Sequence, residues 1–160
     1  MSVTPSDIKF YQSTSGLGGA FVATEITSNT LHNIFDVVSN DEAVTGDVEY
    51  RCIYVKNTNA TSTLYNGEMY INAGTVSDKS SIAIGAGTSA VNGTEQSIAN
   101  ESTAPSAVSF IDAIGVDYTI TLGDIPAGQT KAVWLKRTIL SAATAQSNDY
   151  CILTVIGDTA

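Results

Sequence analysis

Apolar and polar residues alternate most clearly over residues 49–56, where Tyr50, Cys52 and Tyr54 interleave with Arg51, Ile53 and Val55. A period of two in β-branched and aromatic residues predicts a strand, and apolar residues on both phases predict one that is largely buried. A polar cluster over 57–62 ends it. Leu64-Tyr65 and Met69-Tyr70-Ile71 resume the pattern around Asn66-Gly67, which reads as a two-residue hairpin turn or as a bulge within one long strand.

Tyr118, Ile120 and Leu122 alternate with Asp117, Thr119 and Thr121. Residues 123–128, Gly-Asp-Ile-Pro-Ala-Gly, then turn the chain into a second arm over 131–140, and the pair is the strongest hairpin signal in the sequence. In that arm Ala132, Trp134 and Thr138 share one face; Val133, Leu135 and Ile139 share the other with Lys131 and Arg137. A last strand is predicted over 150–156, and shorter ones over 8–12, 19–23 and 82–84. Leu31, Ile34, Phe35 and Val38 are spaced as in one or two turns of helix, so a short peripheral helix is expected within 30–38.

About eight strands with at most one short helix predict an all-β fold, an antiparallel β-sandwich or jelly roll with long polar loops. The length of 160 residues fits one domain over 1–160. Residues 1–7 carry no secondary-structure signal and are expected to form a flexible N-terminal arm. Residues 86–109 read as one long polar excursion punctuated by Val91, Ile98 and Val108. The large core residues are expected to be Tyr50, Cys52, Tyr54, Trp134, Leu135 and Ile152.

Charge narrows the partners. Seven basic against sixteen acidic residues give a net charge of −9, which opposes binding to nucleic acid or to an anionic membrane surface. No stretch approaches the ~18 consecutive apolar residues of a membrane span, and the first twelve residues lack the pattern of an export signal, so neither anchoring nor export is expected.

Candidate chemistry is sparse. The one histidine, His32, sits in an apolar segment and reads as a packing or capping residue, since a zinc site would need it to join Cys52 and Cys151 without any short ligand spacing. The two cysteines lie in apolar runs and read as buried hydrophobes, with a disulfide as the alternative. Ser15-Gly16-Leu17-Gly18-Gly19 lacks the lysine of a phosphate-binding loop and reads as a turn. Asn59, Asn92 and Asn100 open glycosylation-type triplets but serve as loop markers. Asn40, Asp41, Glu42, Asp47 and Glu49 concentrate oxygen ligands in an acidic loop, 40–49, whose order does not match an EF-hand; whether it holds calcium is left open. No catalytic, cofactor or metal residue is assigned, and a non-enzymatic protein is expected.

The run Gly46-Asp47-Val48-Glu49-Tyr50-Arg51-Cys52-Ile53-Tyr54-Val55-Lys56-Asn57 and the later run Gly123-Asp124-Ile125-Pro126-Ala127-Gly128-Gln129-Thr130-Lys131-Ala132-Val133-Trp134-Leu135-Lys136-Arg137-Thr138 resemble a family of small structural virion proteins of tailed bacteriophages. Residues 85–96 and 99–105 are similar to the same group. The resemblance implies a head decoration or cement protein, assembled in the bacterial cytoplasm into the virion, commonly as a homotrimer on the major capsid protein. A tail or baseplate component, and a jelly-roll module that binds host glycans, are the alternatives.

Overall fold

The computed structural model describes residues 2–159, so Met1 of the expected arm lies outside the described residues. Its strands are β1 (Ile8–Ser13), β2 (Gly18–Gly19), β3 (Phe21–Glu25), β4 (Asp47–Asn57), β5 (Leu64–Ala73), β6 (Ser80–Ala86), β7 (Glu95–Ser97), β8 (Ile120–Ile125), β9 (Thr130–Ile139) and β10 (Ile152–Thr159). A five-stranded sheet runs in the order β3-β1-β4-β9-β6, a three-stranded sheet in the order β10-β5-β8, and β2 pairs with β7 in a short ribbon. Every pairing between these strands is antiparallel. The fold is an all-β sandwich.

The two larger sheets enclose the main core. Ile53, Val55, Val133, Leu135 and Ile84 from the five-stranded sheet meet Leu64, Met69, Ile71, Ile120, Leu122 and Ile125 from the three-stranded one. A second core lies on the opposite face of the five-stranded sheet, where Cys52, Tyr54, Ala132 and Trp134 pack with Ile98, Leu17, Phe21, Val108 and Phe110. The central strands β4 and β9 are therefore buried on both faces, which is why their apolar runs, 52–55 and 132–135, are continuous. Register is fixed with them: Cys52 stands opposite Trp134 and Ile53 opposite Val133.

Residues 123–131 do not close a hairpin. β8 pairs with β5 and β9 with β4 and β6, so the turn carries the chain from one sheet to the other. Asn57 holds this corner: its side-chain amide donates to the carbonyls of Ile125 at 2.9 Å and Ser62 at 2.8 Å, and its backbone N–H and C=O pair with Gln129 and Gly128. Asn66-Gly67 is a bulge inside β5, at the point where the pairing with β8 shifts register.

No helix forms over 30–38. The one α-helix among the described residues, α1 (Asn40–Thr45), lies just beyond it and is set by a capping box in which Ser39 Oγ accepts from the Glu42 N–H and Glu42 Oε2 accepts from the Ser39 N–H. Near the N-terminus, Val3 is buried in the main core and Pro5–Asp7 form one 3-10 turn. Of the expected core, Ile152 is exposed, because it sits at the solvent end of β10, and Tyr50 is half-buried.

The 86–109 excursion is a third layer. Its docking depends on Gly18, where a Cβ would lie 1.9 Å from the Gln96 carbonyl oxygen and where φ is +96°. The glycine-dense run thus serves close pairing of β2 with β7.

Candidate functional site

The starts of β4, β6, β8 and β10 and the ends of β5 and β9 meet at one pole of the sandwich, as the pairings of Asp47 with Ile139, Ser80 with Ile139, Ile152 with Ala73 and Met69 with Ile120 require. This pole carries exposed apolar side chains: Val44, Val76, Ile114, Leu140, Tyr150 and Ile152 are each more than two-fifths exposed. Scattered single exposed hydrophobes are ordinary, but a concentration on one end of a fold marks a contact surface.

The loops that bear them are tied down. Asp149 accepts hydrogen bonds from the N–H groups of Val76, at 2.7 Å, and Ser77, at 3.0 Å, and from the Ser80 hydroxyl. The N–H groups of Ala142 and Ala143 donate to the carbonyls of Val44 and Ala43, joining the segment after β9 to α1. The pole is a preformed surface.

Beneath it lies a charged knot. Glu49 is 1 % exposed and faces Arg137 across the β4–β9 pairing; the Arg137 guanidinium bonds Glu49 Oε2 and reaches the Asp36 carbonyl at 2.8 Å. Arg51, two residues along the same face, pairs with Glu101 at 2.5 Å and with Asp36 at 3.6 Å. Both guanidiniums lie over the Phe35 ring, at 5.6 Å for Arg51 and 4.8 Å for Arg137. Burial pushes the Glu49 carboxyl above its ordinary value, against the pull of Arg137 and Arg51.

On the far face, Glu95 is the organising group. Its carboxylate accepts from the Thr88 N–H and hydroxyl, the Ser89 N–H and the Trp134 indole N–H, while its own N–H donates to the Tyr54 hydroxyl at 3.0 Å. Burial alone would raise its pKa, but these donors outweigh it and hold the carboxyl down at about 2.

Of the candidates read from the sequence, Glu42, Asp47 and Glu49 come together, each offering an oxygen within 4.8 Å of the others. Asp41 does not join them. His32 is exposed and lines an open cleft of about 340 Å³ with Ser13 and Cys52, a proximity that no sequence spacing signalled. In that cleft the Ser13 hydroxyl donates to the Cys52 carbonyl at 2.9 Å, and burial pushes the Cys52 thiol up to about 12. Cys151 is likewise pushed up by burial, to about 11, and both thiols are free, Cys52 within β4 and Cys151 just before β10. Asn59 proves a turn organiser, its Oδ1 accepting from the N–H groups of Thr61 and Ser62.

Comparison with protein-family models, curated proteins and solved structures finds no match. Among the described residues no helix is long and apolar enough to cross a membrane.

Proposed function

We propose that this chain is a non-enzymatic structural protein of a tailed-bacteriophage virion, a capsid decoration protein that self-associates as a homotrimer and binds the outside of the head. The observation that carries this reading is the apolar pole: exposed side chains gathered on hydrogen-bonded loops of a layered β scaffold. A surface that is ordered before binding loses little entropy on docking, as an assembly subunit requires. The net charge of −9 agrees with a partner other than the genome. The sequence resemblance supplies the virion, and the cysteines, held as thiols by burial, agree with a role without covalent catalysis.

Decoration would act by mass action. Subunits that bind the expanded shell and not its precursor stabilise the shell by that difference in affinity, repeated at every site. The test is light scattering of the purified protein, alone and with emptied expanded heads. A trimer that adds to heads at fixed stoichiometry supports decoration; a protein that ignores heads but adds to tails or baseplates moves the assignment there, and one that binds neither overturns it.

A further inference from the structure

The acidic segment 40–49 gains a shape in the fold that its sequence did not disclose. α1 folds Glu42 back beside the start of β4, and strand alternation sets Asp47 and Glu49 on one face of that strand. One carboxylate oxygen of each lies within 4.8 Å of the other two. Three carboxylate oxygens gathered so closely can share one hard cation, since two opposed Ca–O bonds of ~2.4 Å span roughly 4.8 Å.

A cluster of acids alone is commonplace; here one buried carboxylate oxygen lacks a hydrogen bond. Glu49 is 1 % exposed, yet its Oε1 accepts no hydrogen bond, and the Arg51 guanidinium stands 3.8 Å from it, beyond hydrogen-bond reach. Arg137 is committed to the other oxygen, Oε2. Among the described residues nothing donates to the Asp47 carboxylate either. The knot also carries excess charge: five carboxylates, Asp36, Glu42, Asp47, Glu49 and Glu101, face two guanidiniums, Arg51 and Arg137, leaving three negative charges unmatched. A buried unsatisfied oxygen in such a field is costly without a cation.

We propose that Glu42, Asp47 and Glu49 form a binding site for one hard divalent cation, calcium in preference to magnesium, because three protein carboxylates suit the flexible shell of calcium and magnesium is usually held by one or two. Glu42 and Asp47 are only half-buried, so water can complete the coordination from the solvent side. Glu42 Oε2 accepts from the Ser39 N–H at 2.6 Å, and its other oxygen is free for the ion. The ion would lock α1 to the base of β4, directly beneath Val44 of the apolar pole. The site is a property of the isolated chain and stands or falls apart from the assembly reading.

The experiment is calorimetric titration of calcium chloride, and separately magnesium chloride, into the full chain stripped with EDTA. One calcium per chain is expected, with Kd on the order of 0.1 mM and weaker magnesium binding. Asp47→Asn and Glu42→Gln, which keep shape and leave the Arg137 pair intact, should each weaken calcium by about tenfold or more with an unchanged near-UV dichroism spectrum. Glu42→Gln retains a cap acceptor and carries the test if Asp47→Asn fails to fold. Absence of heat and of retained calcium at about 1 mM, wild-type affinity in either folded variant, or tighter magnesium binding would overturn the assignment.

Discussion

The indole N–H of Trp134 donates to Glu95 Oε1 at 3.3 Å, joining the middle of β9 to the third layer. This contact couples the fully buried tryptophan to a carboxylate 3 % exposed, so the packing of one face of the five-stranded sheet depends on a single ionised group. The Tyr54 hydroxyl, which accepts from the Glu95 N–H and donates to the Gly19 carbonyl at 2.6 Å, closes the network onto β2.

Stability should therefore fall in acid through Glu95. Its folded-state pKa, about 2, lies below the ordinary 4.5. The stabilisation is fully present above 4.5 and is lost as pH falls from there through about 2, where the unfolded chain binds the proton first. Linkage at ~1.4 kcal/mol per pH unit makes the contribution roughly 3 kcal/mol. Urea unfolding of wild type and Glu95→Gln across that range tests it: the wild-type curve should slope steeply, the variant should be less stable near neutrality, and the two should converge at low pH. Parallel curves would remove Glu95 from the account.

Trp134→Ala is expected to cost roughly 3 to 5 kcal/mol, the range for emptying a large buried aromatic site, and to release the Glu95 carboxylate from one donor. Folding should fail before any specific surface contact does. Thermal melting settles it, since a variant with unchanged melting temperature that no longer assembles would assign Trp134 to the surface function instead.

Arg137 and Glu49 give the opposite pH dependence. Arg137→Met leaves the Glu49 carboxylate buried beside Arg51 alone, a loss of roughly 3 to 5 kcal/mol near neutrality. Burial already raises the Glu49 pKa, and removing Arg137 raises it further. A raised folded-state value means stability present at low pH and lost as pH rises through it, so the variant should regain stability on mild acidification. Adding Glu49→Gln should recover part of the loss and flatten the profile; a double mutant no better than Arg137→Met would argue against a stranded charge.

Much of the sandwich was legible because β4, β5 and β9 carry period-two patterns over runs of about ten residues. The corner at 126–129 was not, since a Pro-Ala-Gly turn between two strands has the same local chemistry whether the strands pair or part; what decides is Asn57, distant in sequence, whose amide reaches the Ile125 carbonyl. The helix was misplaced for a related reason. Leu31, Ile34 and Phe35 have helical spacing, but Asn29 and His32 adopt positive φ and break it, while the Ser39–Glu42 capping box starts a helix in a segment read only for its charge. The third layer was hidden because its buried residues, Gly87, Glu95, Ile98 and Pro105, are scattered singly through a polar stretch. Glu95 could have been suspected only by knowing that Trp134 needs an acceptor on that face.

The apolar pole makes the sharpest claim on function. If Leu140, Tyr150 and Ile152 are contact residues, replacing each with serine removes a side chain that is only about half-buried and should lower the melting temperature by no more than a few degrees, with the fold retained. Removing them should nevertheless dissociate the oligomer, because each aromatic or aliphatic anchor at the centre of an interface is worth roughly 2 kcal/mol or more. Tyr65, exposed on β5 at the opposite end, supplies the control: Tyr65→Ser changes a comparable area without touching the pole. Light scattering of the four variants, with binding to expanded heads measured in parallel, separates the readings. Loss of mass and of head binding in the three pole variants but not in Tyr65→Ser would locate both contacts at this end. Loss of head binding with the oligomer intact would reserve the pole for the shell and move self-association to the exposed edge of β3 or β10. Full retention of both in all three would show that this end faces solvent in the assembly.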